Sequence, residues 1–254
     1  MKKVLSQKES YYFWHRTFST DVEKQPGMIK TLLTFISILL ILSGCNIVTN
    51  SSKNEGVVTY AIEYPQQADQ KGFTAFLPKE MVTYYKDDHF KLKFKGEFNI
   101  YNLEFISRSG GDTCFTLFKI FDKKLFYSME QNEKLFLFND LGPSKLEVFN
   151  DSTKNIAGIT CTKAVLYFED KSAPDIEVYF SKEINISSPN RHSPFSQVPG
   201  LMLEFSMEYQ NMQLLFKAQK VSIEKVDSHE FHLPETYKNT ERDEIKDLVL
   251  TLLQ

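Results

Sequence analysis

The chain starts polar, turns apolar once, and then alternates. Residues 1–27 are polar and aromatic. From Thr31 to Leu42 the sequence TLLTFISILLIL carries no charge. A membrane-spanning helix needs about 20 apolar residues, so this run is short for a span. It matches the core of a secretory signal. It also lacks the polar face of a helix that packs on a core. Lys30 precedes it as a positive flank, and Ser43, Gly44 and Cys45 follow as small residues. Met28 would open a compact signal, Met-Ile-Lys and then the apolar run, and it competes with Met1 as the start. Residues 1–44 are therefore expected to be a signal peptide.

Beyond it, residues 45–55 are polar and are expected to act as a flexible tether. From Gly56 the pattern changes to alternation. Gly56–Tyr64, Met81–Tyr85, Phe90–Phe94, Asn99–Ser107, Thr113–Phe121 and Leu125–Met129 all carry strand signals. So do Leu135–Phe138, Ile156–Phe168, Ile176–Phe180, Leu201–Tyr209 and Met212–Ile223. Turn residues separate them: Lys86–His89, Ser109–Asp112 with its Gly-Gly pair, Glu130–Lys134 and Tyr209–Asn211. Pro65–Lys79 reads as a loop or lid. About ten strands in consecutive hairpins imply an antiparallel sheet. Leu135–Phe138 is apolar on both faces, whereas Lys91–Lys95 alternates. Such a mixture suits a curved sheet with one face covered by helices or loops. At the end, Ile245, Leu248, Val249 and Leu252 recur at helical spacing behind Thr240 and an acidic first turn, which predicts an amphipathic helix over 240–254. The fold class expected is mainly β, α+β, with residues 56–254 as a single domain.

Composition adds one point and charge another. The chain has 254 residues, with 22 Phe and 12 Tyr but only 10 Gly and 9 Pro. That aromatic content calls for a large core or an aromatic-lined concavity. Residues 1–44 hold six of the 30 Lys and Arg and three of the 33 Asp and Glu. The remainder keeps 24 basic and 30 acidic side chains, a net of −6. No global basic field is present for nucleic acid.

Leu42-Ser43-Gly44-Cys45 resembles a bacterial lipobox. The resemblance implies cleavage before Cys45 and transfer of a diacylglycerol to its thiol, palmitate-type acyl chains holding the protein to a membrane. Each buried CH₂ is worth about 0.8 kcal/mol, and two or more chains anchor stably. Four further pieces, in order, resemble the GLPGLI-type and LolA-like lipoproteins of Bacteroidetes. They are Asn155–Ala164, Ile176–Phe180, Val198–Phe205 (VPGLMLEF) and Phe231–Tyr237 (FHLPETY), within a likeness covering about 57–238. Val198 stands where these proteins usually have Leu, and Phe180 where they have Thr. The resemblance implies an incomplete antiparallel β-barrel with a few covering helices and a place in the envelope of a Gram-negative bacterium. The outer membrane is the expected site, on its periplasmic or surface side. In related carriers the concave face holds acyl chains. Read from the residues alone, Pro199-Gly200 is a turn feeding a strand, and Gly158 is a bulge or bend within one long strand.

Little in the sequence suggests catalysis. There is no His-Glu-x-x-His, no Gly-x-Ser-x-Gly and no phosphate-binding loop. The chain reads as non-enzymatic and without a cofactor. Besides Cys45 it has Cys114 and Cys161, which are either two buried thiols or a disulfide if their strands are neighbours. Neither has a base beside it in sequence. His229 and His232, three apart, would fall on opposite faces of a strand and make no metal site. The leading expectation is a lipoprotein that holds a lipid or acyl chain in a concave face lined by Phe94, Phe105, Phe115, Leu117, Phe136 and Phe138. The alternative is a structural or assembly factor of the envelope that binds a protein through a sheet edge or the C-terminal helix.

Overall fold

Alternation becomes burial along the first strand. In β1 (Glu55–Glu63) Gly56, Val58, Tyr60 and Ile62 are buried and their neighbours are not. A computed structural model describes residues 54–65, 77–108, 113–130, 133–138, 141–170, 173–210 and 212–252. The chain divides into Met1–Asn50 and Ser51–Gln254, and all described residues belong to the second unit. The signal segment, including Leu42, Ser43, Gly44 and Cys45, and most of the Pro65–Lys79 loop lie outside the described residues.

Eleven further strands follow: β2 (Glu80–Lys86), β3 (His89–Lys95), β4 (Tyr101–Arg108), β5 (Thr113–Ile120), β6 (Lys123–Met129), β7 (Ser144–Ile156), β8 (Ile159–Phe168), β9 (Ile176–Ser181), β10 (Leu201–Tyr209), β11 (Met212–Ser222) and β12 (Lys238–Asn239). They form one curved sheet that does not close, in the order β12-β6-β5-β4-β3-β2-β1-β11-β10-β9-β8-β7. Consecutive strands pair antiparallel throughout β1–β6 and β7–β11. One long-range seam joins the halves, β1 against β11, with Val57 opposite Ser222 and Glu63 opposite Leu215. The two-residue β12 adds in parallel to β6. One α-helix, α1 (Arg242–Leu252), ends the described chain and buries Ile245 and Val249 as its spacing predicts. The mainly β, incomplete-barrel class is thus the observed one.

Three local expectations need correction. Leu135–Phe138 is not a strand; it is an irregular segment with Leu135 and Phe136 buried. A run apolar on both faces means only burial on all sides, and a covering loop satisfies that as well as a central strand. The thirteen-residue β7 is not foreshadowed in the sequence, because only Ile156 is fully buried and its alternation is interrupted at Phe149–Asp151. It is the last strand of the sheet, with a register shift between Phe149 and Thr153. Lastly, Ala157 (φ 50°) and Gly158 (φ 85°) form a two-residue turn between β7 and β8 rather than a bend in one strand. Left-handed backbone at both central positions is what such a hairpin needs.

Register assigns the two faces of the sheet. Leu92 lies opposite Phe105, Phe105 opposite Thr116, and Thr116 opposite Tyr127. With Phe94, Leu103, Phe118 and Leu125 they form the inner face, which belongs to the main core. One residue along, Lys93, Glu104, Leu117 and Phe126 face outward. There a smaller cluster of Ile106, Leu117, Val226 and Phe231 forms beneath the segment that leads to the C-terminal helix.

The Pro199-Gly200 turn is locked by its neighbours. Asn190 Nδ2 donates to the carbonyls of Val198 (3.0 Å) and Gly200 (2.8 Å). A Cβ on Gly200 would sit 2.4 Å from the Ser181 carbonyl oxygen, a backbone atom that cannot swing aside. Gly200→Ala is therefore expected to destabilise the protein by about 2 kcal/mol. A shifted urea midpoint at unchanged slope checks this, and an unshifted midpoint would show that the turn yields.

Candidate functional site

The inner face is aromatic and aliphatic, and what closes it is not a second sheet. Two irregular segments, Glu133–Phe138 and Ile184–Val198, lie over it, and α1 covers one end. The cover follows from composition. Leu135, Phe136, Ile184, Phe195 and Val198 are buried between polar residues too irregular in spacing to form a strand.

Two narrow apolar cavities remain beneath. The first, about 70 Å³, is lined by Tyr60, Leu92, Phe105 and Phe205 from the sheet and by Leu135 and Phe138 from the cover. The second, about 50 Å³, lies between Tyr101, Leu103, Val249 and Leu252. Phe94, Leu137, Met207 and Phe216 line both and partition them. A third and more polar recess of about 320 Å³ lies beside Phe138 and Phe195, with Asp175, Glu208 and Gln213 in its lining. Sites that enclose small molecules usually span about 300–1,000 Å³. The two apolar cavities are far below that, so an acyl chain does not fit under the cover in this closed state.

Of the six side chains expected to line a ligand, Phe94, Phe105 and Phe138 come together at these cavities. Phe136 is buried in the same core without lining them. Phe115 and Leu117 point the other way: Phe105 faces Thr116, so both neighbours of Thr116 belong to the outer face. Phe115 packs edge-on to Phe126 there (ring centroids 6.1 Å).

Tyr127 and Arg242 hold Glu133, Gln197 bonds Ser144, and one buried residue that the sequence pattern does not select, His192, joins both cover segments to the sheet. Its Nδ1 lies 2.8 Å from the Glu133 carbonyl oxygen and its Nε2 lies 3.1 Å from Cys114 Sγ on β5. The carbonyl can only accept, so Nδ1 carries the proton. Nε2 is then the acceptor, and the Cys114 thiol donates to it. The His192 carbonyl in turn accepts from the Leu135 N–H (3.0 Å). The ring also stands edge-on to Phe105 (centroids 5.4 Å). One buried imidazole thus ties both cover segments to the sheet. Burial lowers its pKa below the ordinary value of 6.5, the Arg191 charge adds to the lowering, and the Glu133 carbonyl and carboxylate oppose it. The two partners are 78 residues apart in sequence, so a search for a base adjacent to a cysteine passes the pair by.

Both described cysteines are buried thiols outside any disulfide. This corrects the disulfide expectation: Cys114 is on β5 and Cys161 on β8, with seven strands between them in the sheet. Cys161 donates to the Ile159 carbonyl, and burial pushes its thiol up to about 12. That thiol is inert at neutral pH.

His229 and His232 are not on a strand. They share a 3₁₀ turn (Ser228–Phe231 and its cap), where a spacing of three brings the side chains to one side. Their rings are 5.5 Å apart, and His232 Nδ1 is bonded to the Ser228 carbonyl (2.7 Å). No group of three or more His, Cys, Asp or Glu suited to a metal occurs among the described residues. No described helix is long and apolar enough to cross a membrane.

No family model matches the chain, and no curated protein matches it. Solved structures do. An uncharacterised conserved protein from Thermus thermophilus is 9% identical with a TM-score of 0.41, over 81% of this chain and 99% of its own. MucB is 8% identical with a TM-score of 0.32, over 73% of this chain and 60% of its own. The MucA/MucB complex of Pseudomonas aeruginosa matches at 9% identity and 0.32, over 74% of this chain and 59% of that one. This chain therefore spans less than two thirds of the last two, and at these overlaps no ligand or partner is carried across.

Proposed function

We propose that this chain is a lipid-anchored, non-enzymatic protein of a Gram-negative envelope, related to the GLPGLI-type and LolA-like lipoproteins. Cys45 carries the lipid, and the inner face of the sheet takes a hydrophobic ligand such as an acyl chain when its cover lifts. The observation that carries the ligand half is the way that face is closed. Its sheet wall is apolar, its roof is two irregular segments, and the roof is fastened by a small set of side-chain contacts, His192 to Cys114 and Glu133, Tyr127 and Arg242 to Glu133, and Gln197 to Ser144. Burial of about ten CH₂ groups contributes roughly 8 kcal/mol, which can offset the displacement of a roof held by a few hydrogen bonds. The anchor half rests on the sequence Leu42-Ser43-Gly44-Cys45 behind the apolar run.

The second reading, a protein partner bound at a sheet edge, is favoured by β7. It is thirteen residues long, half-buried to exposed except at Ile156, and has β8 as its one strand neighbour among the described residues. Edges of that kind accept an added strand.

Cells fed a labelled palmitate precursor are expected to label the native chain and not Cys45→Ser. An unlabelled native chain overturns the anchor. The protein prepared without its lipidated cysteine is expected to yield bound acyl lipid on solvent extraction and mass spectrometry. Lipid-free protein that also fails to take up added fatty acid overturns the ligand, and β7-dependent capture of an envelope protein would then support the second reading.

A further inference from the structure

Two phenylalanines stand in water at one end of the sheet. Phe98 is 89% exposed and Phe121 is 69% exposed, and they are the exposed large hydrophobics among the described residues. Phe98 lies in the 3₁₀ turn Glu97–Asn99 between β3 and β4, and Phe121 lies in the turn between β5 and β6. The turns are neighbours, joined by the Phe121 N–H bonded to the Ile100 carbonyl (3.0 Å). Both residues are left-handed, at φ 54° and 47°. For a bulky side chain that backbone is disfavoured by about 1–2 kcal/mol, and Gly or Asn would sit there more easily. Folding therefore buries little of either ring and is strained at both positions. Strain of this kind points outward, to something the rings touch.

Beside them the outer face ends in a row of lysines. Register places Lys95, Asn102, Lys119 and Lys124 side by side across β3 to β6. Lys119 is directly opposite Lys124, a pairing of like charges that weakens a sheet. Lys79 and Lys123 are close by, each bonded to a carboxylate: Lys79 to Glu97 and Lys123 to Glu244, both at 2.7 Å. This basic row sits on a chain whose part beyond residue 44 is acidic, net −6 from 24 basic and 30 acidic residues.

We propose that Phe98 and Phe121 are a two-pronged tip that inserts into an anionic lipid bilayer, with Lys95, Lys119 and Lys124 against the headgroups. Aromatic rings at the acyl boundary with lysines in the headgroup layer are the chemistry of interfacial docking. The tip lies at the end of β3 opposite to the end that pairs with β2 near Lys86, where β1 begins at Glu55. Residues 46–55 extend to about 35 Å, and seven-residue β3 spans about 23 Å. A chain acylated at Cys45 can therefore place both its lipid and its tip in one membrane. The proposal needs no ligand under the cover. It draws on the anchor reading only for that reach.

The reporters are Phe98→Trp and Phe121→Trp, each in the full chain with its one native tryptophan replaced (Trp14→Phe). With phosphatidylglycerol vesicles both are expected to show blue-shifted emission, quenched when the lipid acyl chains are brominated. With phosphatidylcholine vesicles they are expected to show neither. Changing Lys119 or Lys124 to Gln is expected to weaken the vesicle dependence about fivefold per lysine. Phe98→Asn with Phe121→Asn is expected to raise the thermal midpoint by relieving the backbone while losing the docking, a split that a merely structural role would not produce. Water-like, unquenched emission in anionic vesicles overturns the proposal, as does a blue shift equal in the two lipids. The same insertion in Cys45→Ser would show that the tip docks without the lipid, so the tip stands even where precursor labelling overturns the anchor.

Discussion

Glu104→Ala is expected to destabilise the protein by about 3–5 kcal/mol. Glu104 lies on the outer face between two lysines, with Lys91 Nζ at 2.9 Å from Oε2 and Lys93 Nζ at 2.8 Å from Oε1. The side chains of Lys91 and Glu104 are only 8% and 9% exposed. Burial raises the Glu104 pKa, the two lysines lower it, and the lysines win, leaving it below the ordinary 4.5. For Lys91, burial lowers the pKa while Glu104 and Glu230 raise it, and the net is above 10.5. Without Glu104 the buried ammonium keeps Glu230, at 3.0 Å on the half-exposed 3₁₀ turn, and the face of the Tyr84 ring at 5.8 Å. For a domain of about 200 residues each kcal/mol shifts the thermal midpoint by about 2–4 °C, so a drop of about 10 °C or more is expected. The pair Lys91→Met with Glu104→Leu should recover most of it, since an apolar pair of similar volume needs no partner. The pH dependence has a definite sign. The Glu104 contribution is complete above its unfolded pKa near 4.5 and is lost as pH falls through its lower folded value. The Lys91 contribution is complete below about 10.5 and is lost as pH rises through its higher folded value. Glu104→Ala should therefore flatten the acid limb of the stability curve. Hydrogen exchange should quicken in 226–237, the segment that Glu230 pins to the sheet.

Much of this sheet is legible because its strands have one wet face. In β1, β8 and β11 the alternation in sequence is the alternation in burial, so the period of two finds them and their turns give the hairpin order. β7 escapes for the converse reason. An edge strand buries little, and Asn150, Asp151 and Ser152 look like a turn when they are a bulge region in mid-strand. Leu135–Phe138 reads as a strand and is not one because period is silent where everything is apolar. The β1–β11 seam is not legible in one sequence, since its partners lie more than 150 residues apart and no local pattern selects them.

Legibility of the site divides along the same line. Phe94, Phe105 and Phe138 can be chosen because aromatics on a curved sheet gather on its inner face. Choosing Phe115 and Leu117 by residue type goes against parity: the period of two that names a strand also forbids neighbours of an inner residue from being inner. The turn tip is equally hidden. Phe121 reads as a strand-end residue and Phe98 falls between two expected strands, and only the fold shows that each projects from a left-handed turn. His192 and Cys114 form a pair through tertiary structure alone, and hydropathy treats the histidine as one polar residue in a loop.

His192→Ala is the second large effect, an expected loss of about 3 kcal/mol. The change removes a ring packed on Phe105, takes the imidazole from the part-buried Glu133 carbonyl, and leaves the Cys114 thiol with Ser107 Oγ (3.7 Å) in place of the imidazole. His192→Asn keeps an amide that can still donate to the carbonyl and should cost about half as much. The pH sign follows from the depressed pKa. The folded protein holds the imidazole neutral, so the unfolded chain binds the extra proton. Stability from this residue is full above the unfolded pKa near 6.5 and is lost as pH falls through the lower folded value. Protonation would give Nε2 a hydrogen that faces the thiol, and Nδ1 alone would keep its acceptor. The fastening of Glu133–Phe138 and Ile184–Val198 should therefore loosen below pH 6.5 in the native chain and not in His192→Asn. The measurement is the difference between the two stability curves from pH 7 to 5, which cancels the carboxylates common to both. Alkylation of Cys114 by a small thiol reagent then reads the roof directly. Native protein should be protected at pH 7.5, and His192→Ala should react many times faster at the same pH, since its cover opens without global unfolding. Equal protection in both would mean that apolar packing of Phe136, Phe195 and Val198, rather than the histidine, holds the roof down.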